Sequence, residues 1–128
     1  MDDKLLKHGR FSWNELMTTD VEGARAFYGK LFGWQYEGFP MENMTYEVIH
    51  SGGEEIGGMM PMLPEAGDHP PAWGTYITVD DVDATVKLAE ALGGKIHQPP
   101  TDIPRVGRFA VLQDPQGAYI AVITYVKE

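Results

Sequence analysis

The chain has 128 residues and 43% hydrophobic content, the size of one ordinary globular domain able to bury about two-thirds of the surface its unfolded form exposes. Ten basic against nineteen acidic side chains give a formal charge of −9, which repels phosphate backbones and anionic headgroups, so no nucleic-acid partner and no membrane partner is expected. The absence of cysteine excludes disulfides, thiolate nucleophiles and sulfur-ligated metals.

In chain order, residues 11–18 mix apolar and polar positions as a half-buried strand does. Thr19 then stands three residues before Glu22 in the spacing of a capping box. Ala24, Phe27, Tyr28, Leu31 and Phe32 recur at helical spacing after Val21, and Gly33 offers a C-cap. These aromatic residues are read as core packing against a sheet. Residues 34–39, 45–50 and 54–60 read as three strands separated by Gly38-Phe39-Pro40 and Ser51-Gly52-Gly53. Gly57-Gly58 inside the last of them points to a bulge or a close backbone approach rather than a phosphate loop. A proline-rich stretch, 61–72, reads as a linker.

Residues 73–79 begin the same order again. Asp80 and Asp83 repeat the helix entry of Thr19 and Glu22, and Val82, Val86, Ala89 and Leu92 form the expected buried stripe of a helix ending at Gly93-Gly94. Strands follow at 95–98, 108–113 and 118–126, with Asp114-Pro115-Gln116-Gly117 as the last turn and Pro99-Pro100 and Pro104 stiffening a long loop. An offset of 61 residues maps one half on the other, placing Leu31 on Leu92, Gly33 on Gly94 and Met60 on Ala121. One domain is therefore expected to hold two copies of a strand-helix-three-strand unit, 10–60 and 73–126.

Asp20-Val21, Phe27-Tyr28, Leu31-Phe32-Gly33-Trp34 and Asp114-Pro115-Gln116-Gly117, in this order of elements, resemble the vicinal oxygen chelate superfamily, which includes glyoxalase I, extradiol dioxygenases and bleomycin-resistance proteins. The resemblance runs from Arg10 to Val126 and is greatest to small proteins described as lactoylglutathione lyase-related. It implies an α+β fold of two βαβββ half-barrels, helices outside a concave mixed sheet, and twofold homodimers. Metal-binding relatives hold their ion on the first and last strand of each unit. Counting back from Asp20 and on from Gly117 reaches Trp13 and Ala121, and the repeat offset adds Gly74 and Met60. None supplies a hard donor, whereas catalytic divalent sites need about three from His, Asp, Glu or Cys. A shift of two residues, which keeps the same face, gives Glu15, Tyr76, Gly58 and Tyr119, of which only Glu15 is a good oxygen donor. No metal and no cofactor is expected.

The expected ligand-binding residues are Trp13, Glu15, Met60, Tyr76 and Tyr119, an aromatic lining with few polar anchors. Glu15, held against aromatic rings, would lose hydration and so favour its protonated form, which fits it for acid or base catalysis; the plain alternative is a carboxylate that ties the site together. Likewise the alternative for the bulky residues is a solid filling of the space. His8, His69 and His97 are expected in solvent, His50 near a cavity mouth, and Arg105 and Arg108 at a rim where they either hold an anion or are solvated. The preferred reading is a metal-free binder of a small apolar or aromatic molecule. The alternatives are an enzyme using Glu15 on a carbonyl or epoxide-like substrate, and a metal-dependent lyase or dioxygenase. The first residues, Met1-Asp2-Asp3-Lys4, lack the pattern of a secretory signal, so a cytoplasmic protein is the default.

Overall fold

A computed structural model describes residues 3–41, 43–62, 70–104 and 106–126. Its strands are β1 (Phe11–Thr18), β2 (Gln35–Pro40), β3 (Thr45–Ser51), β4 (Glu54–Pro61), β5 (Ala72–Thr78), β6 (Lys95–Ile103), β7 (Gly107–Gln113) and β8 (Tyr119–Tyr125). Two helices, α1 (Val21–Phe32) and α2 (Val82–Ala91), and a short 3-10 turn at Asp3–Leu6 complete the fold, which is α+β with the βαβββ order twice. The chain divides into two compact units, residues 13–74 and residues from Thr75 onward together with the described residues up to Ser12.

In the first unit the strand order is β2-β3-β4-β1, with β1 and β4 parallel and the other pairs antiparallel. Leu16, Ile49 and Met59 form its core, against which Val21, Ala24, Tyr28, Trp34 and Tyr36 pack. The second unit repeats the scheme as β5-β8-β7-β6, with a larger core of Val79, Val82, Val86, Ala110, Leu112 and Val122. Hydrogen bonds attach the N-terminal residues to this second unit: Gly9 N–H donates to the Thr78 carbonyl at 2.7 Å, and the Thr78 hydroxyl donates to the Leu5 carbonyl at 2.5 Å.

Both helix entries lie one residue later than the sequence pattern indicated. Asp20, not Thr19, caps α1 by accepting from Gly23 N–H at 2.9 Å, and Asp81, not Asp80, caps α2 by accepting from Ala84 N–H at 3.1 Å. Two adjacent residues compete for the role in each case, and the one whose carboxylate accepts the N–H three residues on takes it. Gly33 ends α1 in the left-handed conformation at φ 75°, as expected of a glycine cap.

The repeat offset also changes along the chain. Across the first unit the rows run Glu37, Val48, Gly58, Glu15; across the second, Gln98, Val111, Ala121, Tyr76. In this row the offset is 61 for the first two strands of each unit and 63 for the last two, so Ala121 is the counterpart of Gly58 and not of Met60. The two extra residues enter between Gln98 and Phe109. There the expected proline loop is absent: β6 continues through Pro99-Pro100, and register shifts on both sides of Gln98 absorb the mismatch. β6 ends its sheet, a position where prolines cost no ladder bond on the open side.

Four apolar residues expected in the core are exposed. Leu92 is 69% exposed beyond the end of α2, and Phe27, Leu31 and Phe32 are 60%, 56% and 57% exposed, so α1 buries no side chain fully. Of the aromatic pairs only Tyr28 packs on the core. Residues 63–69 of the linker, with His69, and Arg105 lie outside the described residues. Removal of the true cap should be readable in solution. Asp20→Ala is expected to cost about 1 kcal/mol in urea denaturation, and Thr19→Ala less than about 0.5 kcal/mol.

Candidate functional site

Alternation along β1 turns Leu16 toward α1 and Glu15, with Trp13 and Met17, toward the helix-free face of the sheet. On that face the Trp13 indole N–H donates to the Tyr46 hydroxyl at 2.9 Å, and the hydroxyl donates its own proton to Glu15 Oε2 at 2.7 Å. Tyr46 is on β3, with β4 between it and β1. The ring passes over β4 because residue 58 is glycine: a methyl there would overlap the Tyr46 hydroxyl. Glu15 is 7% exposed. A carboxylate so enclosed needs partners, and charge-assisted O–H bonds are among the stronger kind.

Met60, buried and in register with Met17, shares this face with Tyr46. Two of the expected residues, Trp13 and Glu15, are therefore joined through Tyr46, which sequence reasoning missed. Its signals were weak but present: alternation along β3 sets Tyr46 two residues from Val48, and Gly58 announces that something lies close against β4. At Gly57 the close approach is to backbone, since a methyl there would sit 2.6 Å from the Asn14 carbonyl. The bulge expected near these glycines lies directly beside them: Ile49 pairs with Gly57 and His50 with Glu55, so Ile56 of β4 is the extra residue.

The other two expected residues belong to the second unit. Tyr76, 7% exposed, sits beside Ala121 with its ring 6.4 Å from that of Phe109. Tyr119 is 44% exposed, and its ring lies 4.8 Å from His97, whose Nε2 is 2.8 Å from Gln113 Oε1. His97 is thus exposed but held in place. His8 is likewise engaged: its Nδ1 accepts from Asp80 N–H at 3.0 Å. His50 shares a face with Glu37, Oε1 to Nε2 3.4 Å, and that nitrogen is enclosed without a hydrogen bond.

Arg108 is no open anion site. Its guanidinium grips both Asp83 oxygens at 2.9 and 3.0 Å and Asp102 at 3.0 Å. The hydrogen bond from Arg108 holds the exposed Asp83 carboxyl below its usual range. A second buried acid, Glu47, faces α1 instead, 3.6 Å from Arg25 Nε, and Arg25 stacks over Tyr36. Burial raises the Tyr36 phenol above its ordinary value, against the opposing pull of Arg25.

The donors implied by the metal-binding relatives can be tested directly. Trp13, Gly74, Met60 and Ala121, or in the register seen here Glu15, Gly58, Tyr76 and Ala121, offer one carboxylate and one phenol. Among the described residues no three His, Cys, Asp or Glu side chains come together in a way that could hold a metal ion. This donor set does not fit a catalytic divalent cation. Nor does any helix among the described residues have the length and apolarity to cross a membrane.

The βαβββ order occurs twice along the chain. Residues 10–122 match the family model described as Glyoxalase/Bleomycin resistance protein/Dioxygenase superfamily, and the chain belongs to that superfamily. It is 43% identical over 117 residues to "Putative glyoxylase CFP32" of Mycobacterium tuberculosis and 36% identical over 115 residues to "Anthracycline biosynthesis protein DnrV" of Streptomyces peucetius. Each match covers 90% of this chain but only 44% and 41% of those proteins, so the chain spans under half the length of these relatives. Among solved structures, methylmalonyl-CoA epimerase from Mycobacterium tuberculosis shares the fold at a TM-score of 0.66 and 14% identity, over 99% of this chain and 94% of that one.

The contact between Tyr46 and residue 58 predicts non-additive energetics. Gly58→Ala should cost about 1–3 kcal/mol in denaturant titration, and markedly less in a Tyr46→Ser background, where the hydroxyl and ring no longer occupy that space.

Proposed function

We propose that this chain is a small-molecule-binding member of the superfamily that works without a divalent metal. Its ligand is a small, largely apolar or aromatic molecule. In the first unit Glu15, steadied by Tyr46, is the polar anchor, and Trp13 and Met60 are apolar contacts; Tyr76 and Tyr119 are proposed contacts on the equivalent face of the second. In this reading residues 10–60 and 73–126 are two copies of one unit within a single domain, the chain acts as a homodimer, and its place is the cytoplasm.

The observation that carries the reading is the Trp13–Tyr46–Glu15 chain itself. The Tyr46 proton is directed at Glu15 and its oxygen already receives the Trp13 N–H, so the group built here is an oriented carboxylate among apolar side chains. Sites for small molecules commonly combine apolar walls with a few fixed polar groups. The names of the relatives, a glyoxylase and a protein of anthracycline biosynthesis, agree with a small organic ligand and leave its identity open.

The 2.7 Å bond between a phenol and an enclosed carboxylate also favours a second reading, in which Glu15 moves a proton to or from a carbonyl or epoxide-like substrate. Glu15→Gln separates the two. A binder keeps its ligand with altered affinity; a Glu15-dependent enzyme keeps binding and loses turnover.

Two measurements test the preferred reading. Protein purified without chelators should carry less than about 0.1 zinc, nickel, iron or manganese per chain, and a stoichiometric content would overturn it. In fluorescence titration 2-naphthol should bind more tightly than naphthalene, and Glu15→Gln should weaken 2-naphthol by about tenfold to a hundredfold. Equal affinity for the two probes, unchanged by the substitution, would remove Glu15 from the site.

A further inference from the structure

The outward face of α1 is the largest feature that the ligand site does not use. Tyr28 is its hub. Its ring lies 5.0 Å from Phe27, 6.0 Å from Phe32, 5.6 Å from Trp34 and 5.5 Å from Trp73, and the Trp73 indole N–H donates to the Tyr28 hydroxyl at 3.2 Å. Five rings are thereby locked into one contiguous surface, extended by Leu31. Phe27, Leu31, Phe32 and Trp73 are between 42% and 60% exposed. With about 200 Å² for a large apolar side chain, these four leave on the order of 400 Å² of apolar surface in water. Patches of that size on a soluble protein usually mark an interaction site.

We infer that this face is a twofold interface that binds a second copy of the chain through α1 and Trp73. The inference deepens the homodimer of the proposed reading by giving it a surface. An isologous interface must be complementary to itself, so one patch has to carry both projections and recesses. This one does. Phe27, Leu31 and Phe32 project, while a hollow of about 360 Å³ lined by Phe27, Tyr28, Trp73, Leu16 and Ala24, and another of about 300 Å³ lined by Trp34, Ile49, Ile56 and Trp73, flank the Trp73 ring.

The area is of the right size. A standard interface buries about 800 Å² per partner, roughly 65% of it apolar in homodimers, and the four side chains supply most of that apolar share. Charge points to the same face. In a chain of net charge −9, Arg25 and Lys30 of α1 balance Glu22 and the capping Asp20, so two copies meeting at their first helices bring together little of that excess.

Sedimentation velocity at 5 and 50 µM tests the surface, with circular dichroism as the check on folding. The wild-type chain is expected to be dimeric at 50 µM, more so at 0.5 M NaCl than at 0.05 M as repulsion is screened. Phe27→Glu and Leu31→Glu should each raise the dissociation constant at least about a hundredfold. Should Phe27→Glu misfold, Leu31→Glu still decides, since Leu31 is more than half exposed. Leu92→Glu, equally apolar and exposed but beyond α2, should change nothing. A monomeric wild type would overturn both this surface and the homodimer. A dimer indifferent to both α1 substitutions, or one broken by Leu92→Glu, would overturn the surface and leave self-association standing.

Discussion

A side chain that is missing organises the helix-free face of the first unit. Because residue 58 has no Cβ, the Tyr46 ring can lie across β4 and bring its hydroxyl between Trp13 and Glu15. Each bond in that chain has a fixed direction, since an indole only donates and a carboxylate accepts. The result is an enclosed acid whose orientation is set by two aromatic residues from different strands. A divalent cation at the same place would need further oxygen or nitrogen donors, and the neighbouring positions supply a glycine, an indole and a thioether.

The two units spend their apolar residues differently. In the second, α2 contributes Val82 and Val86 to a six-residue buried core. In the first, the buried core is three residues, and α1 contributes half-buried Val21, Ala24 and Tyr28 while its larger residues face outward. Burial of each such side chain is worth about 1.5–3 kcal/mol, so leaving three of them in water forgoes stability that a partner surface would recover. The same sequence of elements thus yields one helix that buries two valines while leaving Leu88 exposed, and one that buries no side chain fully.

Much of this was legible in the residues. Alternation along β1, helical spacing after Asp20 and the glycine at 33 mark their elements within a residue or two, because each reports a local constraint. What escaped was non-local. The two residues gained between Gln98 and Phe109 leave the inward face unchanged, since an even shift preserves alternation, and so a constant offset of 61 looked sound although Ala121 answers to Gly58. Helical periodicity gave Phe27, Leu31 and Phe32 an apolar character but could not say whether sheet or solvent lay opposite. Tyr46 reached the site only through the register of β3 on β4, which no single segment encodes.

The most direct test of the account is hydrogen exchange at the three tryptophan indoles, followed by ¹⁵N NMR in the wild type and in Tyr46→Phe. The Trp13 indole N–H should be protected from solvent in the wild type and lose at least about tenfold of that protection when the hydroxyl is removed, while the Trp73 indole, bonded to Tyr28, keeps its rate. A Trp13 signal that exchanges freely in the wild type, or is unmoved by Tyr46→Phe, would contradict the hydrogen-bonded chain on which the reading of this site depends.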